Sequence, residues 1–232
     1  MDKLSYKIKV LILIGVATLI GMSSCNNYLD VVPDDGLATI ETAFNLRSTA
    51  KRYLGTCYSY MTREGASGSD PALLGGDELW DLVGRSVSNT NVRVPSTMFE
   101  SAMGLQSATT VYSNDWAAMY QGIRCCDILI DNVDIVPDME GWEKLQWKAE
   151  AKFLKAYYHF NLIRKWGPIP IVKKSLPIDA SVEEVRVFRD PVDDGFDYVI
   201  ELLNEAIPDL PLVNPSVDEY GRINQIIAAS FK

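Results

Sequence analysis

The sequence predicts an all-α fold made of antiparallel helices. Five stretches place apolar residues at three- and four-residue steps, which is the period of one helix face. Only residues 169–172 have the pattern of an extended segment. Because 47% of the residues are hydrophobic and 10% are aromatic, the chain can bury a substantial core.

The first 24 residues are typical of a secretory signal. Three lysines precede an apolar run at residues 10–22, and Ser23 and Ser24 lead directly to Cys25. The run is shorter than the roughly 20 apolar residues that a membrane-spanning helix needs. The position of Cys25 favours a lipobox, in which this cysteine carries the acyl chains and becomes the mature N-terminus. The alternative is an ordinary signal peptide with an incidental cysteine.

This interpretation divides the chain into three parts. They are a lipoprotein signal peptide (1–24), an N-terminal tether (25–38) and an incomplete helical domain (39–232). Within the domain, Thr39 or nearby acidic residues can cap the first helix. The predicted helices cover about residues 40–61, 108–133, 140–166 and 192–207, and a fifth starts near Arg222.

The first two predicted helices are separated by a long stretch, residues 62–107, that is rich in Gly, Ser, Asn and Thr. Loops of this length are uncommon in compact domains and tend to be functional. An aromatic ring can stack on a sugar while polar side chains bind its hydroxyls. The alternative is that Trp80 pins the loop to the core with Leu79 and Leu82. The side chains that fit a sugar site are Asp77, Trp80, Arg85, Asn89, Asn91 and Arg93.

The central helix is predicted to be the packing centre of the domain. Small alanines stand beside large aromatic residues, which lets neighbouring helices approach closely. The helix ends at Gly167, which can adopt a positive φ, and Pro168 prevents continuation. The predicted apolar face contains Ala149, Phe153, Ala156, Phe160 and Ile163. The lysines that fall largely off this face are Lys148, Lys152, Lys155 and Lys165.

Four segments of the chain resemble the RagB/SusD family of surface lipoproteins, which bind glycans for import. The run AEAKFLKAYYHFNLIRKWGPIPIV at residues 149–172 resembles the signature helix of that family. The stretch CNNYLDVVP at residues 25–33 resembles its mature start. Further similar segments are IRCCDILIDNV at 123–133 and DYVIELLNEAIPDLP at 197–211.

The resemblance implies a TPR-like stack of helix pairs that is lipid-anchored to the outer membrane and exposed at the cell surface. It implies an oligosaccharide ligand and a TonB-dependent SusC-like transporter as partner. Since such proteins extend well beyond a helix like the one near Arg222, we expect this chain to be an N-terminal part. The alternative function is a lipid-anchored TPR-like scaffold that binds proteins and no sugar.

Charge and composition exclude several other classes of function. The chain has 22 Lys and Arg against 31 Asp and Glu, and a net charge of -9 argues against nucleic acid as a partner. Cys57, Cys125 and Cys126 are best explained as buried thiols, with one disulfide as the alternative. Because His159 is the only histidine, we expect neither a zinc site nor a His-based catalytic triad.

An acidic stretch at residues 190–201 partly matches a calcium-binding EF-hand loop. Val192 stands where an oxygen ligand is needed, so an acidic helix start explains the stretch better. No carboxylate pair stands out for glycoside hydrolysis, and no phosphate-binding loop is present. We therefore expect a binding protein without enzymatic activity, metal or cofactor.

Overall fold

The computed structural model describes residues 40–62, 85–86, 93–94, 104–105, 107, 115–177, 179–214 and 216–232. The predicted signal peptide, the tether and most of the long loop lie outside these residues. None of the described helices combines the length and hydropathy that crossing a bilayer requires.

The described part is helical, as predicted. The helices are α1 (Ile40–Ala43), α2 (Arg47–Ser59), α3 (Trp116–Asn132), α4 (Gly141–Trp166), α5 (Val192–Ala206) and α6 (Gln225–Phe231). Short 3₁₀ turns lie at Val133–Ile135, Ile207–Asp209 and Val217–Glu219. Two strands, β1 (Arg85–Ser86) and β2 (Arg93–Val94), pair antiparallel within the predicted loop. Neither of these two-residue strands was expected from the sequence.

The predicted first helix is divided in two. Leu46 is extended, with φ -140° and ψ 149°, and Thr49 Oγ1 accepts a hydrogen bond from its N–H. The break places Phe44 in the core, where it is 1% exposed and its ring lies 5.1 Å from that of Tyr53. Burial of a large aromatic side chain therefore outweighs helix continuity at residues 44–46.

One predicted helix start was too early. The described part of the second helix begins at Trp116, with Asp115 at the N-cap position and no side-chain capping hydrogen bond, and the predicted start at residue 108 lies outside the described residues. The last helix begins at Gln225, since the Asn224 side chain accepts a hydrogen bond from the Ile227 N–H at 2.9 Å. Arg222 lies outside this helix and points into the core.

The predicted bounds of the central helix are confirmed. α4 follows Glu140 as N-cap and ends before Gly167, whose φ is +69° and whose N–H donates to Ile163 O at 2.8 Å. Beyond it, Ile169 pairs with Asp190 in a single antiparallel bridge. The predicted extended segment is therefore one bridge rather than a strand.

The prediction that α4 has a single buried face was wrong. α4 packs against both α3 and α5, so buried residues occur around most of its circumference. Lys155, predicted off the apolar face, has a side chain only 3% exposed. A buried lysine needs a partner of opposite charge, and Asp127 on α3 provides it. The other buried polar residues of α4 are Glu143, Glu150, His159 and Asn161.

Glycines allow both neighbours to approach α4 closely. A Cβ on Gly122 of α3 would lie 2.8 Å from the Tyr158 ring. A Cβ on Gly195 of α5 would lie 2.8 Å from Ile163 Cδ1. Both distances are shorter than real Cβ contacts, but the tip of Ile163 can turn away whereas the buried Tyr158 ring cannot, so Gly122 limits how closely α3 approaches α4.

Candidate functional site

The binding residues predicted from the sequence lie mostly outside the described part. This applies to the lipidation residue Cys25 and to Asp77, Trp80 and Asn89 in the long loop. The backbone of Arg85 is described, in β1, where it pairs with Val94. Their roles therefore stay predictions.

The described part contains a polar cavity beside α5. Its volume is about 390 Å³, and α3, α4, α5 and the segment after Pro170 contribute to its walls. An adjoining cavity of about 320 Å³ shares Lys173, Tyr198 and Glu201 with it. Both volumes lie within the range of pockets that bind small ligands.

Opposite charges balance in the lining of the larger cavity. Its acidic residues are Asp127, Asp131, Glu201 and Glu205, and its basic residues are Lys152, Lys155, Lys173 and Lys174. Equal numbers of both signs do not attract an ion of either charge over the other. Such a lining favours a neutral ligand that both donates and accepts hydrogen bonds.

A buried ion pair lies at the base of this cavity. Lys155 Nζ is 2.5 Å from Asp127 Oδ1 and also donates to the Lys173 carbonyl oxygen at 2.8 Å. The second carboxylate oxygen, Asp127 Oδ2, is buried and accepts no hydrogen bond from any described residue. Burial raises the pKa of Asp127, while Lys155 opposes this effect. A hydroxyl or water that donates to Oδ2 would supply the missing bond.

An aromatic residue lies in the same wall. The ammonium groups of Lys155 and Lys173 lie 5.8 and 5.7 Å from the ring centre of Tyr198. Burial raises the pKa of the Tyr198 hydroxyl, so the phenol stays neutral at physiological pH. Tyr198 therefore holds both lysines beside the cavity through its ring while its hydroxyl remains a donor.

His159 positions the segment that carries Lys173. Its Nδ1–H donates to the Lys155 carbonyl oxygen at 2.8 Å, and its Nε2 accepts from the Val172 N–H at 3.3 Å. Burial lowers the pKa of His159 to about 4. The neutral imidazole thus joins α4 to the wall of the cavity, and both ring nitrogens are already used.

The acidic stretch that partly matches an EF-hand forms a helix start. α5 begins at Val192, and Asp193 and Asp194 lie in its first turn, as the alternative interpretation predicted. Asp190 accepts a hydrogen bond from the Ile171 N–H at 2.7 Å. Among the residues whose side chains are described, no group of His, Cys, Asp and Glu could hold a metal ion.

A second buried polar cluster joins α2, α4 and the chain before α6. Glu150 is fully buried, and Arg222 Nη2 donates to its Oε1 at 2.6 Å. The Tyr58 hydroxyl donates to Glu150 Oε2 at 2.6 Å. The guanidinium groups of Arg222 and Arg47 lie 5.9 and 6.0 Å from the Trp147 ring centre. Because its partners fill its hydrogen bonds, this cluster is structural.

Sequence reasoning missed Asp127, Lys155 and Glu150 as interior residues. Each lies within an apolar helical stretch, where a single charged residue is readily assigned to the solvent side. One feature of the sequence does indicate the ion pair: Asp127 in α3 and Lys155 in α4 have opposite charges, and each stands among large apolar residues. Two predicted adjacent helices with that pattern indicate a buried ion pair.

Comparison with known protein families gives a match along most of the chain. A family model for SusD-like proteins, described as "Starch-binding associating with outer membrane", matches residues 27–231. A curated SusD-like protein, P25 of Formosa agariphila, is 26% identical over 222 residues, which are 94% of this chain and 41% of that protein. The chain thus spans less than half the length of this relative.

Solved structures show the same fold. A laminarin-binding SusD-like protein aligns with a TM-score of 0.67 at 23% identity, covering 81% of this chain and 39% of that one. A SusD-like protein from Bacteroides fragilis aligns with a TM-score of 0.62 at 20% identity, covering 82% of this chain and 34% of that one. The predicted TPR-like helical scaffold is confirmed by these similarities.

Proposed function

This chain belongs to the SusD-like family, and on that premise we propose that it is part of a cell-surface lipoprotein that binds glycans. The observation that carries the proposal is the family match over residues 27–231. The bound oligosaccharide would pass to a TonB-dependent SusC-like transporter in the outer membrane. Cys25 would carry the lipid anchor, because it follows a signal-like segment directly.

Two further observations support a sugar ligand. A protein with the same fold is named for binding laminarin, which is a glycan. The cavity beside α5 in this chain has a charge-balanced lining and an acceptor, Asp127 Oδ2, that lacks a donor. A sugar hydroxyl both donates and accepts, so it matches these groups better than an ion does.

The proposed ligand contacts lie in two places. The first is the long loop, whose Trp80 would stack on a sugar ring while Asp77, Arg85 and Asn89 bind hydroxyls. The second is the cavity, where Asp127 would accept a hydroxyl. Because the relatives are more than twice as long as this chain, other parts of a complete protein would add contacts.

Affinity electrophoresis on a panel of polysaccharides tests the proposal. We expect retardation by at least one glycan and a clear loss of retardation in Trp80→Ala. The matched control is Trp142→Ala, since the Trp142 side chain on α4 is 67% exposed and lies outside both proposed contacts. Asp127→Asn keeps the size of the side chain but also alters the buried pair with Lys155. Weaker retardation in this variant would support the cavity as part of the site only when Lys155→Met, which breaks the same pair, is retarded like the unsubstituted chain.

Absence of retardation by every glycan, in a chain whose far-UV circular dichroism is helical, would contradict sugar binding. Co-purification of an envelope protein under the same conditions would then favour the scaffold function. Co-purification of a SusC-like transporter together with glycan retardation would support the full proposal.

A further inference from the structure

Two cysteine thiols from different helices meet in the core. Cys57 lies in the last turn of α2 and Cys125 in the middle of α3, and their Sγ atoms are 2.9 Å apart. Cys57 is 0% exposed and Cys125 is 7% exposed. All three described cysteines are buried, as predicted, and the structure shows them as thiols, so their oxidation state in the cell envelope stays open.

The short contact is close to the geometry of a covalent bond. A disulfide places its two sulfurs about 2.0 Å apart, so the Sγ atoms of Cys57 and Cys125 would have to approach by only about 0.9 Å. Small rotations of the two side chains can supply this movement. The packing of α2 on α3 therefore already presents the two thiols to each other.

Cys126 is the competing partner. It follows Cys125 on α3, is 0% exposed, and affects the pKa of Cys57. The short Sγ contact, however, joins Cys57 to Cys125. The geometry therefore selects one of the two adjacent cysteines.

We propose that Cys57 and Cys125 form a disulfide that ties α2 to α3 when the chain folds in an oxidising compartment. The compartment rests on the proposed export of the chain, since cell envelopes permit disulfides and the cytosol does not. The third described cysteine, Cys126, stays a thiol.

The reaction is a thiol–disulfide exchange with a small or protein disulfide as the oxidant. Both S–H bonds break and one Sγ–Sγ bond forms, while two protons and two electrons reduce the oxidant disulfide to two thiols. The hydrogen bond with Cys57, and then burial, raise the pKa of the Cys125 thiol. Because exchange needs a thiolate, the bond forms while α2 and α3 are still assembling.

The position of this bond matters for the long loop. Cys57 and Cys125 are 68 positions apart and flank residues 62–107, which carry the predicted sugar contacts. A covalent link would fix the two helices from which that loop departs. It would also remove conformational freedom from the unfolded chain, which stabilises the folded one.

Peptide mapping of the 232-residue chain tests the proposal. The chain is refolded from urea in a glutathione redox buffer, quenched with N-ethylmaleimide in denaturant so that buried thiols also react, digested and analysed by mass spectrometry. We expect a Cys57–Cys125 linked peptide that disappears on reduction, with Cys126 labelled as a thiol. Cys126→Ser should keep the link, and Cys125→Ser should remove it. The oxidised chain should melt higher than the reduced one by roughly 5–15 °C.

Two results would overturn the proposal: labelling of Cys57, Cys125 and Cys126 together in helical, refolded chain, or a link that joins Cys126 to either of the other two. Since Cys125→Ser changes the core, the map of the unsubstituted chain decides the question by itself. The test uses neither glycan nor export. A chain that forms the bond and binds no glycan would therefore contradict only the proposed function.

Discussion

Glu150 lies at the centre of a buried cluster, and Glu150→Gln is expected to destabilise the chain strongly. The substitution keeps the size of the side chain and removes its charge. Glu150 is 0% exposed and accepts hydrogen bonds from Arg222, Tyr58 and Gln146. A neutral amide cannot accept all of these bonds, and one of its donors would face a partner that also donates.

The magnitude follows from burial. Breaking a buried ion pair costs about 3–5 kcal/mol, because the remaining charge stays desolvated. The Arg222 side chain is 19% exposed and retains Glu219, so we expect the lower end, about 3 kcal/mol. This loss corresponds to a melting temperature lower by roughly 6–12 °C.

Urea unfolding followed by circular dichroism measures the change, with Glu205→Gln as the matched control. Glu205 also pairs with a basic side chain, Lys152, but the two side chains are 49% and 28% exposed. Exposed pairs contribute about 0–1 kcal/mol, so this control should unfold near the unsubstituted chain. Equal unfolding midpoints for Glu150→Gln and Glu205→Gln would refute the assignment of Glu150 as a buried structural charge.

Three further predictions concern other contacts. The buried imidazole of His159 stays neutral down to about pH 4, whereas the unfolded chain binds this proton below about pH 6.5. The free energy of unfolding should therefore fall by about 3 kcal/mol between pH 6.5 and pH 4. In His159→Gln, urea unfolding should show a smaller fall over the same pH range. Gly122→Ala should destabilise the chain by about 1–3 kcal/mol because the new Cβ meets the Tyr158 ring. Gly55→Ala, which has open space at its Cβ, should instead stabilise the chain by about 0.5–1 kcal/mol. Equal shifts of the melting temperature in the two variants would contradict the close approach of α3 to α4. Lys155→Met leaves the buried carboxylate of Asp127 without its cation and should lower the free energy of unfolding by about 3–5 kcal/mol, measured in urea. A loss below about 1 kcal/mol would contradict the buried ion pair.

The helical part of the fold could be predicted because its signals are local. Apolar spacing and the Gly167–Pro168 stop gave the bounds of α4 within a residue. The break after Ala43 gave no local signal, because it depends on the burial of Phe44, whose ring packs beside that of Tyr53 on α2. The start of α6 was placed too early for a different reason: the side-chain cap at Asn224 begins the helix there, although the apolar Ile223 before it continues the helical period.

The candidate site could be predicted less well than the fold. Periodicity assigns a charged residue to water unless a partner is known, and Asp127 and Lys155 are 28 positions apart. Their meeting depends on how α3 packs on α4, which local patterns do not encode. Loop composition indicated a ligand site at Asp77, Trp80, Arg85 and Asn89, and this remains a prediction.

The Trp147 ring links the local unfolding of two segments of the described part. Arg47 near the start of α2 and Arg222 before α6 both lie over this one indole, and each guanidinium also binds a carboxylate of α4, Glu143 or Glu150. Residues 175 positions apart in sequence therefore share a single anchoring point. Removing the segment that carries Arg222 exposes one side of the Trp147 ring against which α2 also packs. Proteolytic removal of the residues after α5 should therefore also increase the rate at which α2 unfolds locally.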